Sequence, residues 1–329
     1  MSNGYATAKA VSADTIPVVD CAALRDQSDA NTVAKALHHA SQGLGFIYIR
    51  NHGIDKAVIS QARTDAYQFF HADDQQKNTV AVSASHRGWL ARGGARMHDD
   101  AKADLKESYL WGSQDSQGHT LTDHPLRGEN QWPDFVPTMQ DSAMAFFTQA
   151  HELAHDLMRG FALGLGLAPE FFIRSSDRPL SRASFVYYPQ QPASLGSDQF
   201  GVAPHTDFGV LTVLCQDDVG GLQIRNRNGD WIHAPPIQDT LVVNVADLLH
   251  RWTGGAYPST EHRVVNESGR ERLSLVLAYD PNPETIIDAR DVCGDNSEHQ
   301  SLEEPITCGD YLLWRFEKAF AYRSDSKAD

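Results

Sequence analysis

Apolar residues recur along two different periods in this chain, and the change of period marks its organisation. In the first half the spacing is mostly helical. Met139, Ala143, Phe146, Ala150, Leu153, Leu157 and Phe161 form one stripe, the three-to-four-residue spacing of an amphipathic helix, and predict a helix from Thr138 to Leu165. Asp29 to Gly43 fits a helix with Asp29 or Asn31 near its start and Gly43 closing it, Gly45 to Arg50 a strand, and Asp55 to Phe70 a second helix. From Arg182 onward the pattern changes to short runs of strand type: Ala183 to Tyr188, Val210 to Gln216, Gly221 to Arg225, Trp231 to Ala234 and Thr240 to Val245. Asn228-Gly229 is a turn signal between two of them. His262 to Ala278 then reads as strand, turn, strand, with Asn266 to Arg270 as the turn cluster. Many short strands with alternating faces predict an α+β chain with a mainly β core, a double-sheet jelly roll with supporting helices on one side.

Residues 83–124 follow neither period and are rich in Gly, His, Arg and Asp. A loop this long inside a compact domain is often functional. Residues 1–14 and the tail from Arg323 to Asp329 are polar and expected to be loose. The 329 residues leave room for two domains by length alone, although β-rich single domains also run long. Against 43 Asp and Glu stand 28 Lys and Arg, a formal charge of -15, which opposes nucleic acid or an anionic membrane as partner. Cys21, Cys215, Cys293 and Cys308 are scattered, with no Cys-x-x-Cys pair, as expected of reduced thiols in a cytoplasmic protein. No apolar run approaches the ~18 residues of a membrane span, and the amino terminus lacks an apolar leader core.

Candidate chemistry begins with a pattern that is weak alone. His-x-Asp occurs at His71-Ala-Asp73, His98-Asp-Asp100 and His205-Thr-Asp207. Only the third precedes an apolar, β-branched run, Val210-Leu-Thr-Val-Leu214. On an extended chain residues i and i+2 share a face, so His205 and Asp207 can bind one ion together. With His262 from a distant strand they match the two-His, one-carboxylate triad that binds non-haem Fe(II) and leaves coordination positions open. A competing motif, His151-Glu152-Leu-Ala-His155, satisfies the His-Glu-x-x-His zinc-peptidase pattern. It lies on the apolar stripe of the long helix and lacks a third ligand at the metzincin spacing, so these histidines read as polar flanks of that stripe.

If the hairpin after His262 is centred near Glu267 and Ser268, His262 lies opposite Arg272, with Cβ atoms about 4.5–5.5 Å apart. Ser274 shares the face of Arg272 by the period of two. A guanidinium and a hydroxyl beside a metal suit a small anion with one end on the ion and the other in the arginine fork. The plainer reading of Arg272 is a surface ion pair with Glu261 or Glu271.

Gly220-Gly-Leu-Gln-Ile-Arg225, Asn228-Gly-Asp-Trp231, Val242-Val-Asn-Val-Ala-Asp-Leu-Leu249, Ser259-Thr-Glu-His-Arg-Val264 and Arg272-Leu-Ser274 together resemble the Fe(II)/2-oxoglutarate-dependent dioxygenase superfamily. The isopenicillin N synthase-like branch is the nearest match. Ile16-Pro-Val-Val-Asp20 and Gly45-Phe-Ile-Tyr-Ile-Arg-Asn-His-Gly53 are similar to that branch's amino-terminal module. The resemblance implies a distorted double-stranded β-helix. It also implies one oxygenase domain over 1–329, with an amino-terminal module at about 15–125, a scaffold helix at about 138–165, the jelly-roll core at about 180–280 and a carboxyl-terminal segment at about 281–329.

Residue by residue, it makes His205, Asp207 and His262 the iron ligands and hence the catalytic residues. Arg272, Ser274 and Tyr188 become the holders of the 2-oxoglutarate C5 carboxylate. Tyr188 otherwise reads as a strand tyrosine capping the core. Fe(II), 2-oxoglutarate and O2 are the implied cofactor and cosubstrates, and hydroxylation of a C–H bond in a small molecule is the default outcome. Many members have Asn where this chain has Val186, which puts the detailed hydrogen bonding of the cosubstrate pocket in question. Arg92, Arg96, Tyr109, Phe208 and Phe316 are the substrate candidates, and the two arginines would suit a carboxylated substrate. Two other classes compete: an isopenicillin N synthase-type oxidase that uses no oxoacid, and a non-catalytic metal-binding jelly roll. The sequence leaves the oligomeric state open.

Overall fold

The computed structural model describes residues 6–10, 15–94, 102–115, 117–191, 198–294 and 303–320. Its strands in chain order are β1 (Val18–Asp20), β2 (Phe46–Arg50), β3 (Gly88–Leu90), β4 (Glu107–Gly112), β5 (Arg182–Tyr188), β6 (Val202–His205), β7 (Leu211–Gln216), β8 (Leu222–Arg225), β9 (Trp231–His233), β10 (Thr240–Val245), β11 (His262–Val264) and β12 (Arg272–Tyr279). Two more, Ile286–Ile287 and Ile306–Thr307, form a separate small pair. The larger sheet has the order β1-β2-β10-β7-β12-β5-β4-β3 and the smaller β6-β11-β8-β9. These two sheets, faced with helices on one side, are the expected double-sheet, mainly β architecture.

Period-two alternation gives each strand of the larger sheet two different tasks. In β12, Leu273, Leu275, Leu277 and Tyr279 pack into the core shared with the helices Lys56–Phe70 and Met139–Gly164. Arg272, Ser274, Val276 and Ala278 face a cavity between the sheets. Burying each of those leucines contributes about 1.5–3 kcal/mol, so the helix-side face anchors the strand while the opposite face is free to carry polar chemistry. Among the described residues no helix is long and apolar enough to cross a membrane.

Three expectations need correction. The first long helix runs Ala30–Leu44, capped by the Asp29 carboxylate on the Thr32 N–H, and it is Gly45 that closes it, not Gly43. Gly45 has φ +66°, and a Cβ there would stand 2.1 Å from the Pro258 carbonyl oxygen. Gly45→Ala should therefore destabilise the protein by about 1–3 kcal/mol, read as a shift of the denaturation midpoint; an unchanged midpoint would contradict this packing.

The second correction concerns residues 83–124, which hold β3 and β4 in addition to loop. Every residue of β4 is buried, so it shows no alternation. Its Glu107 accepts from Lys77 Nζ at 2.8 Å and Trp89 Nε1 at 2.9 Å, a pairing invisible to local pattern.

The third is the hairpin. β11 pairs with β6 and β8, whereas β12 pairs with β5 and β7 in the other sheet. Residues 265–271 thus cross between sheets, and His262 does not lie beside Arg272.

Candidate metal centre

His205 ends β6, His262 opens β11, and the two are direct partners in the antiparallel register. Asp207 follows two residues after His205. The ligand atoms of His205, Asp207 and His262 lie within 4.8 Å of one another, the only such three-residue group of His, Cys, Asp or Glu among the described residues. His205 Nε2 stands 3.6 Å and His262 Nε2 3.7 Å from Asp207 Oδ1.

Hydrogen bonds on the far side of each ligand orient it. His205 Nδ1 lies 2.8 Å from the Ala203 carbonyl oxygen and His262 Nδ1 3.1 Å from that of Thr260. A carbonyl only accepts, so both Nδ1 atoms carry the proton and both Nε2 lone pairs face the common point. Asp207 Oδ2 accepts from Thr212 Oγ1 at 2.6 Å and Asn244 Nδ2 at 2.9 Å, which leaves Oδ1 for an ion. Burial alone would raise the Asp207 carboxyl, but His262, His205 and Thr212 outweigh it and hold it well below the usual range. Burial, with His205 adding to it, pushes His262 down to about 4. Two imidazoles and one carboxylate are the donor set that suits Fe(II).

Thr212 and Asn244 escaped sequence reading. The available signal was a polar side chain inside each of two apolar strands, Val210-Leu-Thr-Val-Leu214 and Val242-Val-Asn-Val245. Asn244→Ala should weaken Fe(II) binding about 10- to 100-fold, measurable by metal titration under anaerobic conditions. Unaltered affinity would remove the orienting role.

The opposing sheet carries the arginine and the hydroxyl expected to bind an anion. Arg272 and Ser274 are each 1% exposed. Arg272 donates from Nε to the Gly220 carbonyl at 2.6 Å, and its guanidinium lies 4.6 Å from the Tyr188 ring centroid. Its Nη1 and the Ser274 hydroxyl have no hydrogen-bond partner although buried. Neither glutamate named as a surface partner reaches Arg272: Glu261 pairs with Arg225, and Glu271 with His71 and Tyr187. Leaving a buried donor unpaired costs about 1–3 kcal/mol, so the cluster fits the carboxylate end of 2-oxoglutarate. Val186 lies opposite Ser274 in the register, an apolar neighbour where an amide could have shared the anion.

Of the substrate candidates, Phe208 and Phe316 line the cavity, with ring centroids 5.9 Å apart. Phe208 is held under the Arg315 guanidinium, 4.1 Å from its ring, and Arg315 is fixed by Asp247. Tyr109 is on the wrong face: Ser108 and Leu110 point into the cavity, while Tyr109 packs against Phe69 and donates to the Gln131 carbonyl. Arg92 is exposed and does not line the cavity. Arg96 lies outside the described residues, as does His98-Asp-Asp100. Lys106, Ser108, Arg182 and Ser184, not singled out in the sequence, do line it.

The other motifs are structural. His71 pairs with Glu271, and Asp73 caps a short helix through the Gln76 N–H. His151 and His155 are not polar flanks but pack at the helix–sheet interface, 5.1 and 5.4 Å from the Tyr279 ring, while Glu152 is exposed. Burial, then the neighbouring His155, pushes His151 down to about 3.

Comparison with known proteins agrees with this geometry. Residues 181–281 match the model of the 2OG-Fe(II) oxygenase superfamily, and residues 16–135 that of the non-haem dioxygenase in morphine synthesis N-terminal family. The chain is 31% identical to a homoarginine-6-hydroxylase of Glycine max, over 84% of this chain and 88% of that protein. Its fold is similar to full-length Neurospora crassa T7H in complex with alpha-KG and thymine, with TM-score 0.79 and 29% identity over 93% of this chain and 98% of the other. It is also similar to JOX2 in complex with 2OG, Fe and JA, with TM-score 0.76 and 27% identity over 95% and 89% of the respective chains.

Proposed function

The chain belongs to the 2OG-Fe(II) oxygenase superfamily, and from that premise we propose that His205, Asp207 and His262 hold Fe(II) while Arg272, Ser274 and Tyr188 hold 2-oxoglutarate. The protein is a non-haem Fe(II)- and 2-oxoglutarate-dependent oxygenase acting on a small molecule. When bound, the iron and its cosubstrates supply the oxidising power, converting 2-oxoglutarate and O2 to succinate and CO2 as a substrate C–H bond is oxidised, by default to an alcohol.

The chain's own part is to bind, orient and exclude water. His205 and His262 present Nε2 and Asp207 presents Oδ1. Thr212 and Asn244 keep the carboxylate from rotating, since each occupies Oδ2. The observation that carries the cosubstrate assignment is the pair of unpartnered buried groups, Arg272 Nη1 and Ser274 Oγ, on the sheet facing the triad. Phe208, Phe316 and Phe320 line the substrate side with apolar surface. The carboxylated substrate that Arg92 would suit gains nothing from that residue's exposed position. We read the chain as one oxygenase unit, and its four free cysteines support a cytoplasmic location.

The test is uncoupled turnover. Fe(II)-loaded protein with 2-oxoglutarate and O2 should release succinate slowly without substrate, and omission of either reagent should stop it. O2 uptake that proceeds equally without the oxoacid would favour the oxidase class instead.

A further inference from the structure

This inference rests on the cosubstrate reading above and concerns what the other end of the cavity recognises. β5 presents Arg182, Ser184, Val186 and Tyr188 to the cavity, and Tyr188 lies opposite Arg272 while Arg182 lies opposite Ala278. The two arginines are thus separated by six residues of strand, roughly 20 Å. Ala278 also pairs with Thr212, which holds Asp207, so Arg182 is at the metal's level in the sheet and Arg272 at the far end.

Arg182 is fixed from behind. Its Nη1 donates to Asp280 Oδ2 at 2.7 Å, and its guanidinium lies 4.6 Å from the Phe316 ring centroid. Asp280 is itself anchored, accepting from the Val210 N–H at Oδ1 and donating from its own N–H to Ser181 Oγ. The Arg182 side chain is 11% exposed, and no second acceptor among the described residues meets its remaining N–H groups. An arginine has five donors, so the ones left over face the space beside the metal ligands.

Charge then narrows the ligand. The charged side chains lining the cavity among the described residues are Lys106, Arg182, Arg272 and Asp207. Behind them stand Asp280 on Arg182 and Asp104, 3.7 Å from Lys106 Nζ. At the substrate end Arg182 and Lys106 are therefore each matched by a carboxylate, and Fe(II) with doubly charged 2-oxoglutarate adds nothing net. A charged substrate would enter as an uncompensated buried charge, which is costly. Were Asp104 protonated instead, Lys106 would be left bare and an anion favoured over its neutral partner.

We infer that Arg182, backed by Asp280 and capped by Phe316, is the substrate-reading residue, and that it reads a carbonyl-type oxygen on a flat molecule without net charge, such as an amide, lactam or heterocyclic carbonyl. Its guanidinium acts as an oriented donor because its charge is already matched. Phe208 and Phe316 supply the apolar walls for a ring.

The experiment uses full-length protein loaded with Zn(II), a redox-inert stand-in for iron, and saturated with 2-oxoglutarate. Matched neutral and acidic probes are titrated by ligand-observed NMR: thymine with orotate, nicotinamide with nicotinate, benzamide with benzoate. In at least one pair the neutral member should bind about tenfold or more tightly than the acid, and Arg182→Lys, which keeps a cation on Asp280 but removes the fork, should weaken it by about tenfold. Asp280→Asn leaves the guanidinium unmatched and should move the preference toward the acid, which keeps the idea testable if the first variant folds poorly. Acids bound as tightly as their neutral partners, neutral binding untouched by Arg182→Lys, or no pair bound at millimolar concentration would each overturn it. The 2-oxoglutarate affinity is measured alongside: its absence in the unaltered protein defeats the cosubstrate reading, whereas its retention confines any failure to Arg182.

Discussion

Asp207→Ala is expected to reduce 2-oxoglutarate turnover below detection while leaving the protein folded, and His205→Ala to do the same. Both side chains are half-buried on the cavity wall and contribute little to either hydrophobic cluster. Thermal stability should therefore change by no more than about 1 kcal/mol for His205→Ala, whereas Asp207→Ala also unpairs the buried Thr212 and Asn244 donors and should cost about 1–3 kcal/mol. Chemistry is another matter, because the triad has no spare donor: no other His, Cys, Asp or Glu joins the cluster among the described residues. Asp73→Ala is the informative control, since that aspartate belongs to an equally good His-x-Asp match. It should cost the cap of its helix, about 0.5–2 kcal/mol, and leave turnover alone. Succinate release, bound iron and circular dichroism measured on all three variants distinguish a lost ligand from a lost fold. Substantial turnover by Asp207→Ala would sink the metal assignment.

The contrast between those motifs shows what the sequence could tell. His205 and Asp207 were legible because a strand run follows them and the period of two sets both on one face. The long helix was legible because its apolar stripe is unbroken, and its start and end fall within one residue of the expected bounds. The hairpin after His262 was misread for a definite reason. Asn266 to Arg270 has turn composition, but a hairpin also needs a free edge on each strand, and β11 and β12 each already have neighbours on both sides. Gly221 takes the place a hairpin partner would need: its carbonyl accepts the Val265 N–H, and a Cβ on it would meet the Val265 oxygen at 2.5 Å. Arg272 still faces the triad, but across the cavity and not from the next strand.

Tyr109 failed differently. In a strand buried on both faces, composition does not say which alternate set points inward, and a one-residue slip exchanges the faces. Arg182 was passed over because it binds a carboxylate distant in sequence, Asp280, and local pattern gives no hint of it. Lys106 pairs with Asp104 only two residues away, and nothing in that short segment shows that it lines a cavity.

Arg272→Ala carries the second large effect, and its sign differs between stability and binding. In the unaltered protein the guanidinium is buried with Nη1 unpaired, Nε donating to the Gly220 carbonyl and no carboxylate paired with it. Such a group is a poor contributor to folding, because the desolvation of its charge is not offset by a carboxylate. Removing it should leave the ligand-free protein as stable as before or more so, with loss of the Tyr188 contact as the opposing cost. Binding should move the other way. A charged hydrogen bond contributes about 1.5–3 kcal/mol, so 2-oxoglutarate affinity should fall about 10- to 150-fold. Arg272→Lys should recover only part of it, since an ammonium supplies charge without the planar fork. Ser274→Ala, removing one neutral donor, should fall by about tenfold at most. Anaerobic titration of the Fe(II) protein, following the visible charge-transfer absorbance that chelated 2-oxoglutarate gives, measures the affinities, and chemical denaturation without ligand measures the stabilities. A site kept for an anion predicts the two to diverge, whereas an arginine kept for the fold predicts that they fall together, with oxoacid affinity per folded molecule unchanged.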